Sequence, residues 1–397
     1  MIYFDNTATS AIDPEVLEAM LPYLKEEYGN PSSKYYCKAE TARNAVEESR
    51  AKVAKLLGTR LEEIIFTSGA TESTNFIVKG YMDYRRYYED GKNHIITSTV
   101  EHKATLNTCH YLNGDIYSND DPMINFFGGK KRVDRGYEAS FVSPNSQGIV
   151  CLEDVNKAIK ENTAMCSVIY VNNETGSISE LKSIAACCKE RNIAIHSDLT
   201  QAIGKVDVNV HDLGLDYASC SAHKIYGPKG IGAAYVKNDA YGIQPITALM
   251  HGGEQEYGFR AGTLAVHNIV GFGKAAEIAL RDIERNRQHI SELDSKLCLE
   301  LNKLGFVRNT IDRASRVDGI ISIIIDKKDF NNERFIKRIS EMVAISAGSA
   351  CSLGKPSYVI KELGLGGSET KVLRISLSKH TTEKEIFELI EILKNNI

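Results

Sequence analysis

Short apolar, β-branched runs alternate with amphipathic stretches from about residue 63 onward, and this alternation restricts the possible folds more than any other feature. The runs at residues 64–67, 94–98, 168–171, 193–196 and 217–220 are predicted strands. Strands that alternate with helices form a mostly parallel sheet with helices on both faces. The sequence therefore predicts an α/β domain whose ligands bind beyond the carboxyl ends of its strands.

The C-terminal third of the sequence follows a different pattern, which predicts a second lobe. Residues 264–304 form a long helical stretch rich in paired charges, and predicted strands follow at 319–325 and 372–377. A closing helix is predicted after Thr382, because Thr382 and Glu385 have the spacing of a capping box.

Charge and cysteine content exclude several classes of protein. With 48 Lys and Arg against 52 Asp and Glu, the chain has no overall positive field that would attract nucleic acid or an anionic membrane. Its nine cysteines include no C-x-x-C pair, which argues against a disulfide framework or a thiolate zinc site and favours a reducing, cytoplasmic environment. No signal peptide or membrane-spanning run is predicted. We therefore expect no membrane association, no direct nucleic-acid binding and no metal site.

The motif Ser219–Lys224 stands at the end of a predicted strand. A lysine held there beside hydroxyl groups and a histidine suits Schiff-base chemistry, because partial desolvation lowers the pKa of its amine. A surface lysine before a turn is the alternative, since Gly227–Gly230 follows closely. That glycine-rich sequence lacks the Gly-Lys-Ser/Thr ending of a nucleotide-binding loop, so we interpret it as a turn.

The segment Phe66–Ser73 is a second candidate site, in which a strand breaks at Gly69 and a helix begins. Free amides at a helix N-terminus, with the Thr71 hydroxyl beside them, would form an anion site suited to phosphate. An ordinary strand-to-helix turn with a Ser or Thr cap has the same composition, so this motif alone does not decide between the two.

Polar residues that follow three other predicted strands could bind the rest of a ligand that carries the phosphate. Asp198 could keep a pyridinium nitrogen protonated, and Gln201 could form a hydrogen bond with a ring oxygen. His102 has a flat ring that could stack on a cofactor, and Asn173 follows another predicted strand. Each residue alone is more often an ordinary polar residue. Together at one edge of a sheet, they predict a site for pyridoxal 5'-phosphate (PLP).

Cys351 lies among small residues and glycines in the segment Ser346–Tyr358, which has no apolar periodicity. Such a composition predicts an exposed, mobile loop in which a thiolate can react. We therefore interpret Cys351 as a nucleophile.

With these motifs the sequence resembles the cysteine desulfurases of the NifS/IscS type, within the class V aminotransferase family of PLP enzymes. The resemblance covers nearly the whole chain, from residues 3–9 and 29–33 to residues 373–377. It implies the PLP-dependent transferase fold of type I, an α/β fold with a large domain built on a mostly parallel seven-stranded sheet and a smaller α+β C-terminal domain.

The resemblance also implies a role for each motif residue. Lys224 would hold PLP covalently and transfer protons, with His102 stacked on the ring, and Cys351 would form a persulfide. Arg374 would bind the substrate carboxylate, and Asn173 would contact both substrate and cofactor. The other implied cofactor contacts are Ala70, Thr71, Ser221 and His223 at the phosphate, Thr263 at the phosphate of a neighbouring subunit, Asp198 at the pyridine nitrogen and Gln201 at the phenolic oxygen.

The implied activity is conversion of L-cysteine to L-alanine, with transfer of sulfur to Cys351 and then to an acceptor protein, in a homodimer. The acceptor could be a scaffold or a thiolation enzyme, serving iron–sulfur cluster assembly, tRNA thiolation or DNA phosphorothioation. Selenocysteine as a further substrate stays open. Two alternatives also stay open: an aminotransferase or related lyase of the same family, which needs no loop cysteine, and a non-catalytic partner with this fold.

The same resemblance gives the expected domain division. Residues 15–262 would form the large PLP-binding domain, with an insertion at 113–136 that is rich in Asn, Asp, Gly and Lys. Residues 1–14 and 263–397 would form the small domain, which carries the loop with the catalytic cysteine.

Overall fold

The computed structural model describes residues 1–115, 133–242, 244–348 and 357–397. The strands are β1 (Ile2–Tyr3), β2 (Ile64–Thr67), β3 (His94–Ser98), β4 (Glu138–Val142), β5 (Thr163–Ser167), β6 (Ala194–Asp198), β7 (Tyr217–Ser221), β8 (Gly232–Val236), β9 (Val307–Asn309), β10 (Ile320–Ile325), β11 (Val343–Ala344) and β12 (Val372–Ser376). The helices are α1 (Pro14–Lys25), α2 (Cys37–Leu57), α3 (Ala70–Tyr88), α4 (Lys103–Asn113), α5 (Leu152–Ala158), α6 (Leu181–Glu190), α7 (Val266–Lys303), α8 (Asn332–Ile339), α9 (Tyr358–Glu362) and α10 (Glu383–Asn396).

Seven strands form one sheet in the order β2-β8-β7-β6-β5-β3-β4. Strand β8 runs antiparallel to both of its neighbours, and the other pairs are parallel. Successive residues of a strand face opposite sides of a sheet. Ile64 and Phe66 accordingly pack in one hydrophobic core, and Ile65 packs in a second core on the other face. The predicted α/β fold with a mostly parallel sheet is confirmed.

The predicted strand at residues 168–171 is displaced in the structure. The regular strand is β5, and residues 168–171 follow its carboxyl end. They are apolar because they are buried at the edge of the sheet, where the Ile169 amide donates to the Glu101 carboxylate at 2.8 Å. The run also keeps main-chain hydrogen bonds to the end of β6, because the Val168 amide donates to the His196 carbonyl at 3.1 Å and the Tyr170 amide donates to the Asp198 carbonyl at 3.3 Å. The prediction therefore misplaced the regular strand by about five residues.

The smaller lobe contains an antiparallel sheet in the order β12-β10-β9, and β1 pairs in parallel with β11. The predicted long helical stretch is the single helix α7. Ile269 and Phe272 in its first half pack in a core of the large sheet, whereas Leu293 and Leu297 in its second half pack against the small lobe. The helix thus contributes to both cores. The division after residue 262 stays a prediction.

Helix α10 begins at the predicted capping box, in which the Glu385 amide donates to Thr382 Oγ1 at 3.3 Å and the Thr382 amide donates to Glu385 Oε2 at 2.7 Å. Most of the predicted insertion lies outside the described residues. Its flanks meet, because the Val133 amide donates to the Gly114 carbonyl at 2.8 Å. In the described ranges, no helix combines the length and the apolar character required to cross a membrane.

Candidate active site

A cavity of about 430 Å³ opens at the carboxyl ends of the parallel strands, between the large sheet and strand β12 of the small lobe. Ten of the predicted site residues line it. They are Ala70, Thr71, His102, Asn173, Asp198, Gln201, Ser221, His223, Lys224 and Arg374. Thr263 is exposed and does not line the cavity, and Cys351 lies outside the described residues. The structure therefore brings together the motifs that the sequence places at separate strand ends.

Lys224 reaches the cavity from the short helical turn that follows β7. Its Nζ donates to the carbonyl oxygens of Thr7 and, at 2.6 Å, of Ala8. Both acceptors belong to the N-terminal segment, which the Ser10 amide ties to the His223 carbonyl at 3.0 Å. The amine is thus held at one place in the cavity by main-chain groups.

The predicted phosphate site is built at the start of α3. Gly69 has φ 153° and ψ 174°, a conformation that is almost exclusive to glycine, and a Cβ there would meet no atom closer than Ser221 Oγ at 3.9 Å. The first amides of α3 have no partner within the helix and carry its positive dipole end. Space and amides together form an anion cradle.

Two side chains beside this cradle, Glu72 and His223, have shifted pKa values. Burial alone would raise the pKa of Glu72. Arg260, at 2.8 Å, and Ser68 nevertheless hold that pKa below its usual value, so the negative charge of Glu72 is compensated. Burial, with the positive charges of Lys224 and nearby lysines, lowers the pKa of His223 to about 4. His223 is therefore neutral at pH 7, and its Nδ1 lies 3.1 Å from Thr9 Oγ1.

Asp198 is the last residue of β6, Gln201 lies three residues further along the chain, and both are buried. Asp198 Oδ1 accepts from the Thr200 amide at 2.9 Å. Gln201 Nε2 donates to the Thr7 carbonyl at 3.1 Å, and its Oε1 accepts from Lys205 Nζ at 2.9 Å. A buried carboxylate favours a cationic partner, such as a protonated ring nitrogen.

His102 caps α4 through its ring, because Nδ1 accepts from the Ala104 amide at 3.1 Å. The ring proton is then on Nε2. The preceding residue, Glu101, is buried, and its Oε1 accepts from Ser98 Oγ at 2.6 Å as well as from the Ile169 amide. Burial raises the pKa of Glu101 to about 8. This carboxyl group links the turn that carries His102 to the cavity wall.

Arg374, on strand β12, is 1% exposed, and each terminal nitrogen of its guanidinium donates a hydrogen bond. One terminal nitrogen donates to the Asn173 carbonyl at 2.9 Å, and the other donates to Asp5 Oδ1 at 2.8 Å. These contacts orient the planar group toward the cavity that it lines. A guanidinium in a fixed orientation suits recognition of a carboxylate.

The segment that contains Cys351 leaves and re-enters the described structure beside the cavity. Ser346 and Arg374 exchange backbone hydrogen bonds of 2.7 and 3.2 Å. Ser357 Oγ donates to Glu174 Oε2 at 2.6 Å, and a Cβ on Gly348 would lie 2.8 Å from that same oxygen. Glu174, the neighbour of the cavity residue Asn173, therefore stands between both ends of this segment.

Whether the cavity fits PLP can be judged from the buried polar atoms in its wall that lack a hydrogen-bond partner. Asn173 Oδ1, Thr200 Oγ1 and Arg374 Nε are buried and have no hydrogen-bond partner among the residues that the structure describes. Buried polar groups are rarely unpaired, so these atoms indicate a polar ligand. The anion cradle, the buried carboxylate of Asp198 and the amine of Lys224 match the phosphate, the ring nitrogen and the aldehyde of PLP. The residues present fit this cofactor.

Several cavity residues were not found by sequence reasoning. Thr7, Ala8 and Thr9 come from the N-terminal segment, and Thr200 lies between two predicted residues. For Thr7, Ala8 and Thr9, the only indication in the sequence was weak: they belong to a run of small residues, most with hydroxyl groups, that follows β1. Nothing local in the sequence places that run beside Lys224.

The chain has known relatives both in sequence and in structure. The sequence profile of the family described as aminotransferase class-V matches residues 2–115 and 130–389. Cysteine desulfurase IscS of Rickettsia massiliae is 38% identical over 400 aligned residues, which cover 100% of this chain and 91% of that protein.

Two solved structures are similar over nearly the whole chain. A NifS-like protein has a TM-score of 0.85 and 34% identity, covering 99% of this chain and 98% of its own. The structure of SspA in complex with cysteine has a TM-score of 0.77 and 32% identity, covering 96% of this chain and 100% of its own. The predicted resemblance is confirmed, and the chain belongs to the aminotransferase class-V family of PLP-dependent enzymes.

Proposed function

We propose that this protein is a cysteine desulfurase, which converts L-cysteine to L-alanine and passes the sulfur through Cys351 to an acceptor protein. One observation carries the proposal. A single cavity combines the amine of Lys224, the buried carboxylate of Asp198 and the guanidinium of Arg374, and the segment with Cys351 is anchored at its wall. Relatives of similar length that are named cysteine desulfurases support it.

The cavity residues divide the binding of cofactor and substrate between them. Bound PLP withdraws electrons from the α-carbon of an amino acid, which makes its proton removable. Lys224 would hold PLP covalently, and Asp198 would pair with its ring nitrogen. The start of α3, with Thr71, Ser221 and His223, would bind the phosphate. The other proposed contacts are His102 at the ring face and Gln201 at the phenolic oxygen.

We assign proton transfer to Lys224. Its Nζ is held in the cavity by hydrogen bonds to the Thr7 and Ala8 carbonyls. In its neutral form this amine would take the α-proton of the substrate and later return a proton. His102 offers a second donor at Nε2. Arg374 and Asn173 would bind the substrate carboxylate and so fix which face of the substrate meets Lys224.

Sulfur transfer needs a nucleophile, and we assign this role to Cys351. Its thiolate would attack the substrate sulfur, so that an S–S bond forms while the carbon–sulfur bond breaks and its electron pair stays with the carbon. Protonation of that carbon gives alanine.

Incubation of the purified protein with L-cysteine and a dithiol reductant tests the proposal. A desulfurase releases alanine and sulfide in equal amounts without a keto acid. An aminotransferase of the same family would consume a keto acid and release no sulfide, and a non-catalytic partner would form neither product. Either of these results would refute the proposed function.

Replacement of Arg374 by lysine is expected to raise the KM for L-cysteine about 10- to 100-fold, because an oriented hydrogen bond to a carboxylate contributes about 1.5–3 kcal/mol. Steady-state kinetics of alanine formation measures the change. Arg316→Lys is the matched control, since Arg316 is equally buried but pairs with Asp294 at 2.8 Å, away from the cavity. An equal rise of KM in both variants would contradict the assigned role.

We further propose that the protein is a homodimer in which Thr263 reaches the phosphate of the partner subunit. Thr263 is exposed, and the segment before it is fixed by the buried pair of Arg50 and Glu256 at 2.7 Å. Glu256 and Tyr257 both have positive φ, a strained state that such a pair can hold in place. A mass in light scattering of twice the 44.0 kDa chain is expected.

The proposed domain division follows the same scheme, with residues 15–262 as the PLP-binding domain and residues 1–14 and 263–397 as the domain that carries the Cys351 segment. The sulfur acceptor would be a scaffold or a thiolation enzyme. Capture of a mixed disulfide with Cys351 would identify it.

A further inference from the structure

Lys205 is a second amine close to the active-site lysine, and the proposed mechanism gives it no role. It lies in the turns that follow β6, and its Nζ donates to Gln201 Oε1 at 2.9 Å. Gln201 Nε2 is bound in turn to the Thr7 carbonyl, which also accepts from Lys224 Nζ. A short chain of hydrogen bonds therefore connects the two amines.

The two amines also share a small enclosed cavity of about 40 Å³ behind the active site. That volume holds a few water molecules at most. The other titratable groups in its wall are Tyr226, Asp318 and Lys379. Asp318 is paired with Arg313 at 2.8 Å, and Lys379 is paired with Asp13.

Lys205 forms no such pair within the described ranges, in which the carboxamide of Gln201 is its hydrogen-bond partner. Burial, and to a smaller extent the positive charge of Lys224, lower the pKa of Lys205 to about 7. Charge coupling between two groups is mutual, so a proton on Lys205 makes a proton on Lys224 less favourable.

We propose that Lys205 is a positioning residue that holds the Gln201 carboxamide and, by its charge across the shared cavity, favours the neutral form of the Lys224 nitrogen. The inference rests on the proposed function only in that Lys224 holds PLP. It does not depend on cysteine as the substrate or on Cys351. Lys205 loses its charge as the pH rises through about 7, so its effect on Lys224 should be largest below neutral pH and should fade above it.

The test is a pH titration of the visible absorbance of the PLP-loaded protein, which reports protonation of the nitrogen that joins Lys224 to the cofactor. Lys205→Met removes the charge and should raise the midpoint by about one pH unit. Lys205→Arg keeps a permanent positive charge, so its midpoint should equal or fall below that of the parent protein. Lys237→Met is the control, because Lys237 pairs with Asp216 outside both cavities.

The acidic limb of the pH profile of kcat/KM should move with the absorbance midpoint in each variant. An unchanged midpoint in Lys205→Met would overturn the inference. So would an equal rise in the Met and Arg variants, which would indicate a purely structural effect. Because the absorbance is read without substrate, these outcomes are independent of whether the protein releases sulfide.

Discussion

Replacement of Lys224 by alanine is expected to reduce alanine formation from L-cysteine by at least about 10³-fold. The variant loses both the covalent link to the cofactor and the base that moves the α-proton, and a positioned base alone contributes about 10²–10⁴-fold. The Thr7 and Ala8 carbonyls hold the Lys224 amine in the cavity, and Lys229 is a second lysine in the cavity wall. Alanine and sulfide assays on the PLP-loaded variant measure the loss.

A matched control separates this loss from a general effect of removing a lysine. Lys237→Ala changes a residue that pairs with Asp216 at 3.1 Å outside the cavity, and it should retain the activity of the parent protein. Borohydride reduction supplies a second readout, because it should fix PLP to the parent protein and to the control but not to Lys224→Ala. Retained activity in Lys224→Ala would remove the basis of the proposed mechanism.

Replacement of Cys351 by alanine is expected to reduce sulfide and alanine formation at least about 10²-fold, since no thiolate is then available to accept the sulfur. The substrate should still bind, because Arg374 and Asn173 are unchanged, and an absorbance change on addition of L-cysteine would report that binding. A mass spectrum of the parent protein after incubation should show one extra sulfur atom on the peptide with Cys351.

Cys37→Ala is the corresponding control, because Cys37 is an exposed cysteine at the start of α2, apart from the cavity. It should retain full activity and the extra sulfur atom on the Cys351 peptide. Alanine formation at the parental rate in Cys351→Ala would show that another group accepts the sulfur. The assignment of Cys351 as the residue that accepts the sulfur would then be wrong.

Glu174 is relevant to both predictions, because it connects the cavity to the two ends of the Cys351 segment. It is buried, burial raises its pKa, and its Oε1 has no partner within the described part of the chain. Its Oε2 accepts from Ser357 Oγ and lies 2.8 Å from the position that a Cβ on Gly348 would take. The described residues on either side of the Cys351 segment therefore lie beside Asn173.

The sequence by itself located most of the strand ends and the polar residues at them. Lys224 and Gly69 follow strands whose apolar runs are short and local, Asp198 ends such a strand, and helix α10 is capped by the predicted Thr382. Such features are readable because strand and helix periods depend on neighbouring residues. The role of Arg374 came only from the family resemblance, since no local pattern distinguishes it.

Only the tertiary structure decided which distant segments meet. Thr7 and Ala8 reach Lys224 because β1 pairs with β11 and the Ser10 amide binds the His223 carbonyl. Lys205 bonds to Gln201 only four residues away, but only the packing of the chain places its amine in the wall of the same small cavity as Lys224. Contacts between residues about 200 positions apart result from how complete elements pack, and neither periodicity nor motif spacing encodes them.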